Sequence, residues 1–390
     1  MRGSVRVVAI DSEETAKALI STVGADPAGI KIMAPKAVFR AVHVQGIGCP
    51  AALILKQEML ARGGEAAIDR GAITGRAGSG EVLLLGTLAQ YRRLIEKLHK
   101  QPFGLRTVAE ELQRVLAAGS ELPPAAWSWR GRTGIMGILN VTPDSFSDGG
   151  KYLDPERALI RAREMMAAGA DILDLGGEST RPGSIPVSGE EELQRILPVI
   201  GNLRAEIDLP ISIDTYKAEV AAAALKAGAA IVNDVSGLKA DPEMAAVVAD
   251  HDALVVIMHN RKQAVYRDLM AEISRDLGES LGIALRAGIP ENRILIDPGI
   301  GFGKTAQHNL EVLRRLRELQ SLGRPILVGT SRKSFIGRIL DQPPEQRELG
   351  TAATVALAIA GGAEVVRVHD VEAMRQVARM ADAIVRGWQG

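Results

Sequence analysis

Residues 172–183 read Ile172-Leu173-Asp174-Leu175-Gly176-Gly177-Glu178-Ser179-Thr180-Arg181-Pro182-Gly183. A short apolar run carrying one carboxylate breaks directly into a Gly-rich polar loop, the pattern of a buried strand ending at a functional rim. Short apolar runs that lead into polar residues recur at Ile135–Leu139, Ile211–Ile213, Ala230–Val232, Leu254–Met258, Ile294–Ile296, Ile326–Val328 and Val365–Val368. Helical stretches near 155–168, 189–203, 217–227, 241–250, 269–287, 307–320, 346–360 and 370–387 follow these runs in turn. Eight strand–helix units of this length predict a (β/α)8 TIM barrel over 125–390. A doubly wound open sheet is the alternative, but the glycine fingerprint that would favour it is missing after the first strand.

Working outward, the chain has 390 residues, more than one barrel uses. The cluster Gly119-Ser120-Glu121-Leu122-Pro123-Pro124 marks a boundary. Residues 1–124 are expected to form a smaller α/β or α+β domain. Val5–Ile10, Ile30–Met33 and Glu81–Leu85 have strand character, and Glu13–Ser21, Pro50–Arg62, Leu88–Leu98 and Phe103–Leu116 read as helices. His43 and the single cysteine, Cys49, have no spaced ligand set around them and read as structural.

Composition excludes several classes. Lys and Arg number 47, as do Asp and Glu, so the chain is no basic nucleic-acid glove. Aromatic residues are 3%, too few for base-stacking platforms. One cysteine excludes a disulfide framework or a cysteine-rich metal centre. The opening turns acidic before any long apolar run, and no stretch of 18 uncharged apolar residues occurs. Neither a signal peptide nor a membrane span is expected, and a cytoplasmic enzyme is the default.

Polar residues fall where a barrel places function, at the carboxyl ends of the strands. A lone Asp or Asn after a strand is usually a turn or helix cap. Asp174, Asp214, Asn233 and Asp297 come from four chain-distant units, however, and converge on one rim. Carboxylates accept paired N–H donors and a carboxamide both donates and accepts, so the set suits a polar heterocycle. Arg181, Lys333, Arg367 and His369 lie on loops two, seven and eight, where barrels often hold phosphate, with Ser331 and Ser334 beside them. His259 and His369 lack zinc spacing, which leaves a hard cation carried with phosphate as the plausible metal. Gly303-Lys304-Thr305 resembles the end of a P-loop, but Pro298 stands where the first glycine is required.

The segments Gly137–Gly149, Asp174–Gly183, Asp297–Thr305, Ser331–Ser334 and Arg367–Asp370 resemble, in order and spacing, the dihydropteroate synthase family of pterin-binding TIM barrels. The resemblance covers about 130–385. It implies condensation of 6-hydroxymethyl-7,8-dihydropterin diphosphate with 4-aminobenzoate, releasing diphosphate. It implies a pterin pocket of Asp214, Asn233, Asp297 and Lys333, with Asp174 and Met258 nearby. Asn140, Arg367 and His369 are implied to meet the diphosphate and Mg2+, Asn140 as metal ligand. Thr180, Arg181, Pro182 and Ser334 are implied to handle aminobenzoate, where sulfonamides compete, with Pro143 and Phe146 closing over it. The first two loops, 141–150 and 178–186, are implied to move, and a homodimer is expected.

One departure is visible: after Met258-His259 many members continue Met-x-Gly-x-Pro, whereas this chain has Asn260–Tyr266, so a different shape is expected for loop five. Two other readings use the same barrel. A folate-methyl transferase to a corrinoid protein would share the Asp/Asn grip but has no reason for Gly177–Pro182 or Ser331–Ser334. A non-catalytic binder would leave the N-terminal domain as the working part.

Overall fold

The structure, a computed structural model, describes residues 5–74, 80–117, 131–141, 155–178 and 186–388. The chain divides into two compact units between residues 118 and 119.

The N-terminal unit is α+β. Strands β1 (Phe39–Ile47), β2 (Glu65–Ile68) and β3 (Gly80–Thr87) form an antiparallel sheet in the order β1-β3-β2. In β3, Val82 and Leu84 are buried while Glu81 and Leu83 are exposed, so one face is covered. The covered face packs on Leu55, Met59, Leu94, Leu98 and Leu105 from the helices. Tyr91 donates its hydroxyl hydrogen within this core, with Leu84 O at 2.9 Å and Arg40 O at 3.1 Å, which ties the central strand to β1.

Two expectations fail here. Ile30–Met33 lies in the helix Pro27–Ala37, because Asp26 caps its first turn and Pro27 presets it. Val5–Ile10 belongs to no strand, and Val5 and Val7 are almost fully exposed. Its β-branched residues favour extension, but a strand exists only where a neighbour pairs with it.

The second unit is the barrel. Strands β4 (Gly134–Asn140), β5 (Ile172–Gly176), β6 (Ile211–Asp214), β7 (Ile231–Asp234), β8 (Leu254–Met258), β9 (Ile294–Asp297), β10 (Ile326–Val328) and β11 (Ala363–Val368) are parallel and in sequential order. The barrel closes where β11 pairs with β4, Val366 opposite Ile135. The stretch read as one helix over 307–320 is a helix, Ala306–Arg314, followed by a 3-10 turn, Leu316–Leu322. The helix Ser334–Leu340 is additional to those read from sequence.

Met136, Ile172, Ile231, Val256, Leu295, Leu327 and Val365 fill the barrel interior as one apolar cluster. Strand side chains alternate with period two, so the residue two positions further along lies on the same face. From that floor, two steps lead to Asp174, Asn233, Met258, Asp297 and Arg367, and β6 adds Asp214 two steps beyond buried Ser212. The barrel therefore delivers these six side chains to its carboxyl-end mouth. At the opposite end, Arg132 makes paired bonds of 2.8 and 2.7 Å to Asp171, and Asp382 accepts from the N–H and hydroxyl of Thr133.

Candidate active site

Arg367 organises one side of the mouth. Its Nε donates to Asp174 Oδ2 at 2.6 Å and its Nη2 to Asp214 Oδ2 at 2.7 Å. Asn233 Nδ2 donates to the same Asp174 oxygen at 3.2 Å. Asp174 Oδ1 and Asp214 Oδ1 are buried without a partner among the described residues. Burial opposes the Arg367 charge, but the two carboxylates outweigh it and raise the pKa. Burial also raises the Asp214 pKa, to about 7, against the pull of Arg367.

Asp297 and Lys333 form the other side. Asp297 Oδ1 accepts the Gly299 N–H at 2.7 Å. Burial raises the Asp297 pKa, opposed first by Lys333. Burial lowers Lys333 to about 8, opposed by Asp297. Lys333 Nζ donates to the Ile300 carbonyl and lies 4.7 Å from the centre of the Phe302 ring.

The turn that presents Lys333 is held from several directions. Arg332 adopts a left-handed φ of 57°, unusual for a side chain with a Cβ. Its N–H donates to Thr351 Oγ1 at 3.1 Å, its guanidinium grips Asp370 at 2.6 and 3.1 Å, and its carbonyl accepts from Arg347 at 2.9 Å. Such a conformation persists only where its surroundings fix it. Before it in the turn, Ser331 Oγ accepts the His369 N–H at 3.2 Å and lies 2.9 Å from its Nδ1. The turn thus joins loop seven to loop eight.

The remaining expected residues are distributed as follows. Met258 is buried and packs against Gly299. Ser334 is exposed as the first residue of its helix. Asn140 ends β4 opposite Gly176, partly buried. Thr180, Arg181, Pro182, Pro143 and Phe146 lie outside the described residues, as do 142–150 and 179–185 of the first two loops. Among the described residues, no three His, Cys, Asp or Glu side chains gather as a metal site.

Loop five has a definite shape. Arg261 pairs with Asp276 at 2.8 Å and Glu272 at 2.6 Å, and its guanidinium lies 4.8 Å from the Tyr266 ring centre. Tyr266 donates to the Gly303 carbonyl at 2.8 Å and meets His308 edge-on. Burial raises the Tyr266 pKa to about 12, which keeps that hydroxyl a donor.

Sequence reasoning missed what lies beneath. Lys304 is not a phosphate lysine, since its Nζ lies 2.8 Å from His259 Nδ1. Burial lowers the Lys304 pKa to about 7, opposed first by Asp297. Lys217 bridges Glu178, at the base of loop two, to buried Glu192, and Tyr216 donates to Glu178 at 3.0 Å. For loop five the signal in the sequence was Arg261 and Tyr266 standing shortly before Glu272 and Asp276.

Residues 136–369 match the family described as pterin binding enzyme. The dihydropteroate synthase of Bacillus subtilis is 53% identical over 262 residues, which is 67% of this chain and 92% of that protein. A probable bifunctional folylpolyglutamate synthase/dihydropteroate synthase of Halobacterium salinarum is 42% identical over 387 residues, 97% of this chain and 47% of that protein, so the likeness takes in the N-terminal unit. Among solved structures, the Clostridium difficile dihydropteroate synthase obtained with pteroic acid is 54% identical with a TM-score of 0.64, covering 65% of this chain and 97% of that one. The Xanthomonas albilineans enzyme in complex with 7,8-dihydropteroate is 42% identical with a TM-score of 0.61, covering 67% and 98%. The chain belongs to the dihydropteroate synthase family of pterin-binding enzymes.

Proposed function

We propose that the chain joins 6-hydroxymethyl-7,8-dihydropterin diphosphate to 4-aminobenzoate and releases diphosphate. The observation that carries this reading is the mouth itself. Among the described residues, Asp174 and Asp214 each keep one buried oxygen without a partner, beside Asn233 and Asp297. A buried unpaired oxygen is costly, and N–H groups of a bound heterocycle would relieve that cost.

In the reaction, the C–O bond between the pterin methylene and diphosphate breaks. The neutral amine nitrogen then forms a C–N bond and releases a proton. Positive charge develops on the methylene as diphosphate leaves. Asp297 and Asp214, fixed before reaction, stabilise that charge, while Asn233 orients the ring. Arg367 and His369 face the anionic end, and Lys333 stands between ring and anion. No general base is needed on the chain, because an aryl amine is uncharged at neutral pH. Ser334 receives aminobenzoate; the other residues assigned to that substrate, Thr180, Arg181, Pro182, Pro143 and Phe146, lie outside the described residues.

Mg2+ fits this arrangement. Asn140 offers a hard oxygen ligand at the rim, and magnesium keeps waters and borrows substrate phosphates rather than requiring a full protein cage. When bound, the ion neutralises charge on the diphosphate. The proposed assembly is a homodimer. Leu357, Met380 and Ile384 lie exposed on the helices Glu348–Ala360 and Val371–Val385, which pack side by side. A second copy would cover them, and sedimentation of the protein and its Leu357→Glu variant tests this. No helix among the described residues is long and apolar enough to cross a membrane.

Mass analysis of the product tests the reaction. The expected result is 7,8-dihydropteroate, with a sulfonamide competing against aminobenzoate. Methyl transfer from a folate to a corrinoid, without condensation, would replace this reading with the methyltransferase one.

A further inference from the structure

The loop 298–303 follows Asp297 and supports both halves of the Asp297–Lys333 pair. Gly299 N–H donates to Asp297, and the Ile300 carbonyl accepts from Lys333. Gly301 lies so close to the lysine stem that a Cβ there would stand 2.9 Å from Lys333 Cδ. Where this backbone goes, the two site residues follow.

Lys304 holds that backbone from below. Its Nζ donates to Gly299 O at 3.0 Å and Phe302 O at 3.2 Å, and lies 2.8 Å from His259 Nδ1. As an ammonium Lys304 has three donors and no acceptor, and each of the three faces one of these groups. The two carbonyls flank the segment that touches Lys333. His259 is buried at the end of β8. Burial and the neighbouring Lys304 lower its pKa to about 3, so Nδ1 is free to accept. Its Nε2 lies 3.3 Å from Asp276 Oδ2 without a hydrogen bond among the described residues, and Arg261 holds Asp276 in place.

The strands of this device lie too close for any residue but glycine. A Cβ on Gly299 would fall 1.9 Å from the His259 carbonyl oxygen, and one on Gly303 would fall 2.1 Å from that of Arg261. Loops five and six are therefore locked together. The residues that depart from the usual loop-five pattern, Arg261 and Tyr266, form the outer part of the lock.

We infer that Lys304, held by His259, is a positioning residue for the pterin grip, fixing loop 298–303 so that Asp297 and Lys333 meet the ring in register. It acts through those two residues and touches no reacting atom. The inference rests on the pterin-transfer reading of the same site.

The test uses the full chain with Lys304→Met, His259→Leu and His259→Asn. The last keeps an acceptor near the place of Nδ1. Pterin diphosphate affinity is read by calorimetry, kcat and aminobenzoate KM by steady-state kinetics, and folding by thermal melting. Lys304→Met and His259→Leu should lose about a hundredfold in kcat, the scale of a misplaced site, and should weaken pterin diphosphate binding. Aminobenzoate KM should stay near the parent value, and His259→Asn should recover most of both losses. If Lys304→Met does not fold, Lys304→Gln, which keeps two donors, should show the same split more weakly. Parent-like kcat and pterin affinity in a folded Lys304 variant would overturn the inference, as would His259→Asn behaving like His259→Leu. A parent that binds pterin diphosphate without condensing it would sink the reaction instead, and the calorimetric arm would still decide the role of Lys304.

Discussion

Arg367 Nη2 sits 2.7 Å from Asp214 Oδ2, yet burial still holds the Asp214 pKa up at about 7. One guanidinium is shared between Asp214 and Asp174, and each carboxylate keeps an oxygen without a partner among the described residues. A buried ion pair of this kind is weak evidence for stability, since desolvation offsets most of the attraction. Its value here is a mouth whose charges are already in place before the substrate arrives.

Removing the guanidinium exposes that balance. Arg367→Leu leaves two buried carboxylates uncompensated and should cost about 3–5 kcal/mol at pH 8. The loss should shrink at pH 5, where Asp214 can take up a proton. Urea denaturation at the two pH values checks this, and an equal loss at both would show that the carboxylates do not feel Arg367.

Asp214 has its own pH signature. Its folded pKa is raised, so between the ordinary carboxylate value and about 7 the folded chain holds a proton that the unfolded chain has lost. Its contribution to stability is therefore full below the unfolded value and falls as pH rises through that window. Asp214→Asn should flatten the fall. Denaturation curves with the same pH slope in parent and variant would count against it.

Much of this site was legible in the sequence because strand geometry is strict. Once Ile172, Ile231, Leu295 and Val365 are placed on the barrel floor, period two puts Asp174, Asn233, Asp297 and Arg367 at its mouth. The eight apolar runs located the strands for the same reason. What could not be read was pairing between chain-distant loops, such as Lys304 with His259 or Arg332 with Asp370. Those contacts depend on how loops cross above the strands, and no local periodicity encodes that. The N-terminal unit was harder to read. β2 is a four-residue Glu-Ala-Ala-Ile strand of low intrinsic β-propensity, defined by its pairing with β3.

Asp297→Asn should keep the fold and lose turnover. The amide can still accept the Gly299 N–H, so the loop stays anchored, while the negative charge facing the reacting methylene is gone. A loss of about 10²–10³ in kcat is expected for one such electrostatic group. Turnover within a few-fold of the parent would remove Asp297 from the mechanism.

Gly299 tolerates no side chain. Its φ is +69°, and a Cβ would collide with the His259 carbonyl. Gly299→Ala should destabilise the chain by about 1–3 kcal/mol through backbone strain and should also weaken pterin binding. A thermal melt paired with calorimetry reads both, and an unchanged melt would show that loops five and six are not locked.

Chelation tests the proposed ion. EDTA should abolish condensation, and added Mg2+ should restore it. Asn140→Ala should raise the Mg2+ concentration needed for half-maximal rate by about tenfold, the effect of about 1.4 kcal/mol. Full activity in EDTA would remove the metal from the account.

The most direct measurement is diphosphate release by the purified chain, followed with each substrate alone and with both. The account predicts rapid release only when pterin diphosphate and 4-aminobenzoate are present together, matched one to one by 7,8-dihydropteroate. Binding of the pterin with no release in the presence of the amine would contradict it.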